Sequence, residues 1–420
     1  MHGNNIESII NRLSNIINNT PDVLPNENLA NQRLFNRDET SFYLIGDNLD
    51  VYNTLLEDLL LKERWDKKFS EKYVDSVLQD EIFNILKYGV RKAIESFSKT
   101  CNEVEVYSIQ QTVYIPLSGI TMFDVEEFSL GRVNFKRITK AILEEILEAA
   151  ETVIRKTKNL PEEQELFIKE SNESLSNEFS EKVCAVYQVV AEPNRARELA
   201  EQETQLALDL LRYSIPVLYR DESIVRIGLS SQVTSIYQPA LTLSSVGLVQ
   251  DRTLLNRNYE ISRNNITVLR KIGVFEMSDI LTKPYEQLSD FKKTLLRGVH
   301  WFANSQTQTK IENEFLNLII CLEVFFTQKG GDPISSSIAE GTALILGSNL
   351  TERKRLKSRV KELYGLRSVV SHGEHSSILN KDVVDLKFIA MRLLVKMIGR
   401  REDFISRRNL IDWLEEQRLS

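Results

Sequence analysis

Cysteine is scarce: three in 420 residues, Cys101, Cys184 and Cys321, odd in number and far apart. That spacing suggests neither a disulfide framework nor a zinc cluster, and it fits a reducing cytoplasm. Glycine and proline are also few, at 16 and 9, and no low-complexity tract or solenoid-length repeat is present. No apolar run is long enough to span a membrane. The start, MHGNNIESII, lacks the basic region ahead of a long apolar one that a secretory signal needs. Positive charge is in deficit, giving a net −7, which argues against a protein that coats nucleic acid wholesale. The first 255 residues hold no phosphate-loop pattern, no HExxH and no GxSxG. Only four histidines occur, and two of them lie in LYGLRSVVSHGEH, from Leu363 to His375.

What is present is a soluble globular composition, 42% apolar and 27% charged, at a length suited to two or three domains. Residues 1–255 read as a mixed α+β domain. NNIESIINRLSNIINN puts Ile6, Ile9, Ile10, Leu13, Ile16 and Ile17 on one helical stripe, and the Pro- and Asn-rich connector after it suggests an arm. Helical pattern fills about 50–98. EVEVYSIQQTVYIPL (103–117) alternates as a strand does, and FSLGRVNF follows as a second strand. A long helix, ITKAILEEILEAAETVIRK, leads into an acidic stretch at 159–181, read as a loop or exposed helix. KVCAVYQVVA reads as a buried strand, RELAEQETQLALDLLRY as a helix, and IVRIGL and ALTLSSVGLV as short strands. Residues 256–420 read as an all-α bundle, with helices near 258–272, 285–303, 311–328, 334–346, 350–372 and 381–398. Gly330, Gly331, Gly347, Gly373 and Gly399 stand where left-handed caps are expected.

The helix at 350–372 is basic. Between Leu350 and His375, seven cations meet three anions, a local +4 inside an acidic chain. Asn349 is placed to cap it, with Glu352 three residues on as the partner of a capping box. Leu356, Val360, Leu363, Leu366 and Val370 form the stripe expected to be buried. Gly373 ends the pattern, leaving His372 in a last turn whose unsatisfied carbonyls favour a protonated imidazole. Arg367 precedes His372 by five residues, about 140° around a helix, so one straight helix cannot aim both at one point. Ser368 and His372, four apart, do share a face. Two copies meeting across a two-fold axis would bring two arginines and two histidines into one cleft, so a homodimer is expected.

RSVVSH, from Arg367 to His372, resembles the RxxxxH motif of HEPN domains, helical bundles that are often metal-independent ribonucleases. The surroundings are similar to those of the ApeA-like HEPN group: an apolar helix with an embedded glutamate (FLNLIICLEVFF), then GTALILG, then ERKRLKSRVKELYGLRSVVSHG. Together these features cover about 311–398. The resemblance implies that Arg367 and His372 are catalytic, that the substrate is RNA, with tRNA among the candidates, and that no cofactor or metal is used. It also implies a toxin-like effector of antiviral defence. Two departures stand out. Ser368 occupies a place where many members carry Asn, Asp or His, and Glu374 stands where toxins paired with a nucleotidyltransferase carry tyrosine.

Each candidate has a plainer reading. Arg367 would otherwise be a snorkelling side chain and His372 a helix-end stabiliser. Glu323, inside LIICLEVFF, needs a partner and is placed to orient Arg367 or to bind a helix-end donor. Arg353, Lys354, Lys357 and Lys361 either guide RNA by its phosphates or merely solvate their helix. His372 and His375 lack a third metal ligand. His300 and Trp301 read as interface or core residues. The alternatives to a nuclease are a non-catalytic dimerisation or RNA-binding module, and a regulator whose N-terminal domain binds a trigger, protein or small ligand.

Overall fold

The structure, a computed structural model, describes residues 3–19, 32–37, 40–157, 172–219, 223–230, 241–244, 247–250, 255–327, 334–371 and 378–419. It is mostly helical, with its strands concentrated before residue 262. The chain forms two compact units: Met1–Val113 with Gln188–Glu201, and Tyr114–Tyr187 with Gln202–Ser420. Residue 255, where the strand signals end, falls inside the second. Among the described residues no helix is long and apolar enough to cross a membrane.

The first unit is built on α1 (Gly3–Asn18), the hairpin β1 (Gln32–Arg37) and β2 (Thr40–Ile45), α2 (Asp47–Glu57), α3 (Glu71–Tyr88) and α4 (Val90–Tyr107). The expected arm is instead part of the core. Ile6, Ile9, Ile10, Leu13 and Ile16 are buried in one cluster with Leu55, Leu78, Ile82 and Phe97. Five large apolar side chains on one stripe lose too much by facing water for this helix to stand alone. The expected strand at 103–117 is shorter than its alternation suggests. Helix α4 runs to Tyr107, and β3 spans only Ile109–Ser118. An established helix adds a residue at little cost, so it extends through Val104–Tyr107 despite their alternating pattern.

Further along the chain lie β4 (Ile120–Met122), β5 (Glu127–Leu130), β6 (Val133–Ile138), α5 (Lys140–Thr157), α6 (172–179), β7 (Lys182–Ala191) and α7 (Pro193–Leu218). All are in the second unit except the end of β7 and the start of α7, which fall in Gln188–Glu201 of the first. Next come β8 (Ser223–Val225), β9 (Gly228–Leu229), and the hairpin of β10 (Leu241–Ser244) and β11 (Gly247–Gln250). β12 (Leu255–Arg257) and β13 (Tyr259–Ile261) end the strands. The main sheet has the order β5-β6-β7-β3-β9, with β6 and β7 antiparallel from Asn134↔Val186 to Ile138↔Lys182. Ile138, Leu143 and Cys184 bury one patch against it. The acidic stretch expected at 159–181 lies partly outside the described residues.

The bundle comprises α8 (Arg263–Lys271), α9 (Val274–Leu281), α10 (Asp290–Ser305), α11 (Ile311–Phe326), α12 (Ile334–Leu346), α13 (Leu350–Ser371), α14 (Asn380–Gly399) and α15 (Arg407–Leu419). Helix α11 is central, packing on α10, α12, α13 and α14. It buries Phe315, Leu318, Ile319, Cys321, Leu322, Phe325 and Phe326. Its apolar surface nearly encircles it, as a helix with neighbours on several sides requires.

Three expectations for this region need correction. Residues 258–262 are not helical: Tyr259 and Ile261 are buried while Glu260 is exposed, a period of two, and β13 pairs in parallel with β4. The helix starts only after Ser262, whose Oγ accepts from the Asn265 N–H at 3.4 Å. Two helices are present that the sequence pattern did not suggest, the eight-residue α9 and the thirteen-residue α15. Gly347 and Gly399 are not left-handed; positive φ occurs instead at Gly46, Gly89, Gly119, Gly131 and Gly273. Gly347 is needed for room, since a Cβ there would lie 2.8 Å from the Ala343 carbonyl and 2.5 Å from Arg353 Cγ. Gly330, Gly331 and Gly373 lie outside the described residues.

Close approach also governs Gly341 on α12, where a Cβ would meet two ring carbons of the buried Phe326 at 2.6 Å. Gly341→Ala is therefore expected to destabilise the protein by about 1–3 kcal/mol through overpacking, despite alanine's better helix propensity. Urea unfolding checks this, and a variant as stable as the wild type would show that α12 and α11 can separate freely.

Candidate functional site

The site is built on α13 and α11. Helix α13 is fixed at its start by Asn349, whose Oδ1 accepts the Glu352 N–H at 2.9 Å. The return bond of the expected capping box goes one residue further back. Glu352 accepts from the Ser348 N–H at 3.0 Å and Oγ at 2.7 Å. Those two bonds, helped by Arg392 at 3.4 Å, hold the Glu352 carboxyl down at about 2. Leu356, Val360 and Leu363 are buried as the stripe requires, while Leu366 is only half-buried. The side chain of Val370 lies outside the described residues.

Tyr364 and Arg367 are three residues apart and so share a face of α13. Both meet Glu323 of α11. Arg367 Nε lies 3.1 Å from Glu323 Oε1, and the Tyr364 hydroxyl donates to the same oxygen at 3.0 Å. The guanidinium carbon is 5.7 Å from the Tyr364 ring centroid, within cation–π range. Glu323 is flanked on its helix by the buried Leu322, Phe325 and Phe326, so its carboxylate needs these polar partners. Burial, then the hydrogen bond and charge of Glu323, push the Tyr364 phenol above its ordinary value. The Glu323–Arg367 side chains are 18% and 40% exposed, which places the pair at the rim of the bundle with access to solvent.

Ser368 is exposed on the next position of the helix. His372, Glu374 and His375 lie outside the described residues; α13 is described to Ser371, the residue immediately before His372. Of the basic residues, Arg353 donates to the Gly347 carbonyl at 3.2 Å and Lys357 pairs with Glu340 at 3.4 Å, while Lys354 and Lys361 are exposed. Arg359 is bound by Asp382 at 2.6 Å, Asp385 at 2.8 Å and Glu362 at 2.9 Å, which ties α13 to the start of α14. Among the described residues no group of three or more His, Cys, Asp and Glu is placed to hold a metal ion.

Two features escaped the sequence reading. Tyr364 is one; its spacing of three from Arg367 was the available signal. The other joins α7 to α10: His300 Nδ1 lies 2.7 Å from the buried Asp209, which Arg212 also contacts at 3.0 Å. Nothing in the sequence links residues 91 apart. His300 is exposed and Trp301 half-buried, so neither is a core residue. The bond to Asp209 raises the His300 pKa.

The depressed Glu352 carboxyl gives a pH signature. A group whose folded pKa lies below its ordinary 4.5 stabilises the fold above that value and loses the effect as pH falls toward the folded pKa. Glu352→Gln should therefore lower the melting temperature at pH 7, with the gap to wild type closing between about pH 5 and pH 2. A gap that stays constant across that range would place the stabilisation elsewhere.

No family model matches the chain, and neither a curated protein nor a solved structure matches it, so the likeness to HEPN domains rests on the residues quoted above.

Proposed function

We propose that the protein is a metal-independent endoribonuclease of the HEPN type, acting as a homodimer, with Arg367 and His372 as its catalytic residues. The observation that supports this is the setting of Arg367. Two residues, Glu323 and Tyr364, orient its guanidinium at the rim of the bundle, five positions before a histidine. A guanidinium so held is suited to a phosphate whose charge grows during reaction.

In the proposed reaction the ribose 2′-oxygen bonds to the adjacent phosphorus as the bond to the 5′-oxygen breaks. The 2′-hydroxyl loses its proton and the departing 5′-oxygen gains one, leaving a 2′,3′-cyclic phosphate. An imidazole can move protons at either oxygen near neutral pH. The need for a 2′-hydroxyl selects RNA over DNA. Lys354 and Lys361, exposed on the same helix, would meet flanking phosphates, with Arg353 and Lys357 nearby. Arrest of a cell by RNA cleavage, tRNA included, would suit an effector of antiviral defence in the cytoplasm.

One observation favours a second reading. Glu323 needs a cation whether or not Arg367 reacts, so the pair equally suits a non-catalytic dimerisation or RNA-binding module. Purified protein incubated with total RNA in EDTA separates the two. Arg367→Ala and His372→Ala should each lower cleavage by about 10²-fold or more. Arg367→Lys, which keeps the charge but loses the planar fork, should also be impaired. Cleavage equal to wild type in both alanine variants would sink the catalytic assignment.

A further inference from the structure

Helix α14 has two apolar faces. Leu386, Ile389, Leu393, Leu394 and Met397 are buried in the bundle. Val384, Phe388, Met391 and Val395, spaced by four, three and four residues, form a second stripe on the opposite side. Phe388 is 63% exposed and Val384 46%. The stripe is one wall of a groove of about 510 Å³, within the roughly 300–1,000 Å³ of small-molecule sites. Pro216 and Val217, in the last turn of α7, and Ile272, just after α8, complete the wall. Large apolar side chains gathered at a surface in this way mark a place that binds something.

Cations flank the stripe. Lys387 is held by Glu314 at 2.5 Å, and Arg392 reaches Glu352 and the Leu346 carbonyl at 3.4 Å. Lys396 is exposed and, among the described residues, has no acidic partner. It stands at the end of the groove marked by Ile272, because the next residue, Gly273, lies against Ile398: a Cβ there would be 2.6 Å from Ile398 Cγ2. An apolar trough that ends on an unpaired ammonium is complementary to an apolar chain that ends on an anion. A second copy is a poor occupant, since a two-fold axis through this face would set the two cationic rims against each other. We propose that the groove binds a small alkyl carboxylate, its carboxylate on Lys396 and its chain running along Val395, Met391 and Phe388 toward Val384. Neither Arg367 nor His372 takes part, so the site stands whether or not the ribonuclease reading holds.

Titration calorimetry on the full chain tests it with decanoate below its micellar concentration. Decylamine, which reverses the charge, and butyrate, which lacks the chain, are the comparisons. Decanoate should bind, and the other two should bind about tenfold or more weakly. Lys396→Glu and Phe388→Ser, both at exposed positions and so expected to fold, should each weaken decanoate about tenfold or more. Failure of decanoate to bind, equal binding of decylamine or butyrate, or wild-type affinity in either variant would overturn the proposal. So would a dimer that Phe388→Ser converts to a monomer in light scattering, because a second copy would then cover the groove.

Discussion

The bundle depends on the partner it supplies to one carboxylate. Glu323 stands in the central helix α11 beside buried leucine and phenylalanine, where its mostly buried carboxylate needs polar partners. The pairing solution is Arg367, with Tyr364 donating to the same oxygen. The buried stripe of Leu356, Val360 and Leu363 sets the rotation of α13, and that rotation turns Tyr364 and Arg367 toward Glu323 of α11. Ser368, one position on, is thereby turned to solvent. The pair is partly exposed, so its loss should cost between the ~1 kcal/mol of a surface pair and the ~3 kcal/mol or more of a buried one. That range matters for any test on Arg367, because stability and chemistry both change when it is removed.

The rest of α13 supports this geometry. Its start is fixed by Asn349 and by the Ser348–Glu352 bonds, and its middle by Arg359 against Asp382 and Asp385. Gly341 lets α12 come close to Phe326 of α11, and Gly347 leaves room for Arg353 in the first turn of α13. Most of the basic charge that suggested a nucleic-acid surface is thus divided. Arg353, Lys357 and Arg359 have partners within the bundle, while Lys354 and Lys361 stand exposed.

The longer helices of the second half were legible because their apolar periods are long: 334–346 is expected and observed, and the helix expected at 350–372 is observed over 350–371, to the last described residue of that stretch. Shorter elements were less so. The three residues of β13 alternate too briefly to outweigh a neighbouring helical pattern, and α9 is only eight residues long. The alternation at 103–107 misled because local period competes with the cheap extension of an existing helix. The site was legible in part. Glu323 stood out as a charge in an apolar run, and Arg367 by its place in the motif. The joint contact with Tyr364 needed the helix–helix register, which no single segment encodes. His300 and Asp209 illustrate the same limit, since a pair 91 residues apart leaves no local trace.

The central claim is that Arg367 and His372 form a ribonuclease site. It is tested most directly by mapping RNA 3′ ends in cells expressing the wild type or His372→Ala, by a method selective for 2′,3′-cyclic phosphates. The account predicts a set of new cyclic-phosphate ends in the wild type that is absent from the variant; identical ends in both, with both proteins folded and equally abundant, would contradict it.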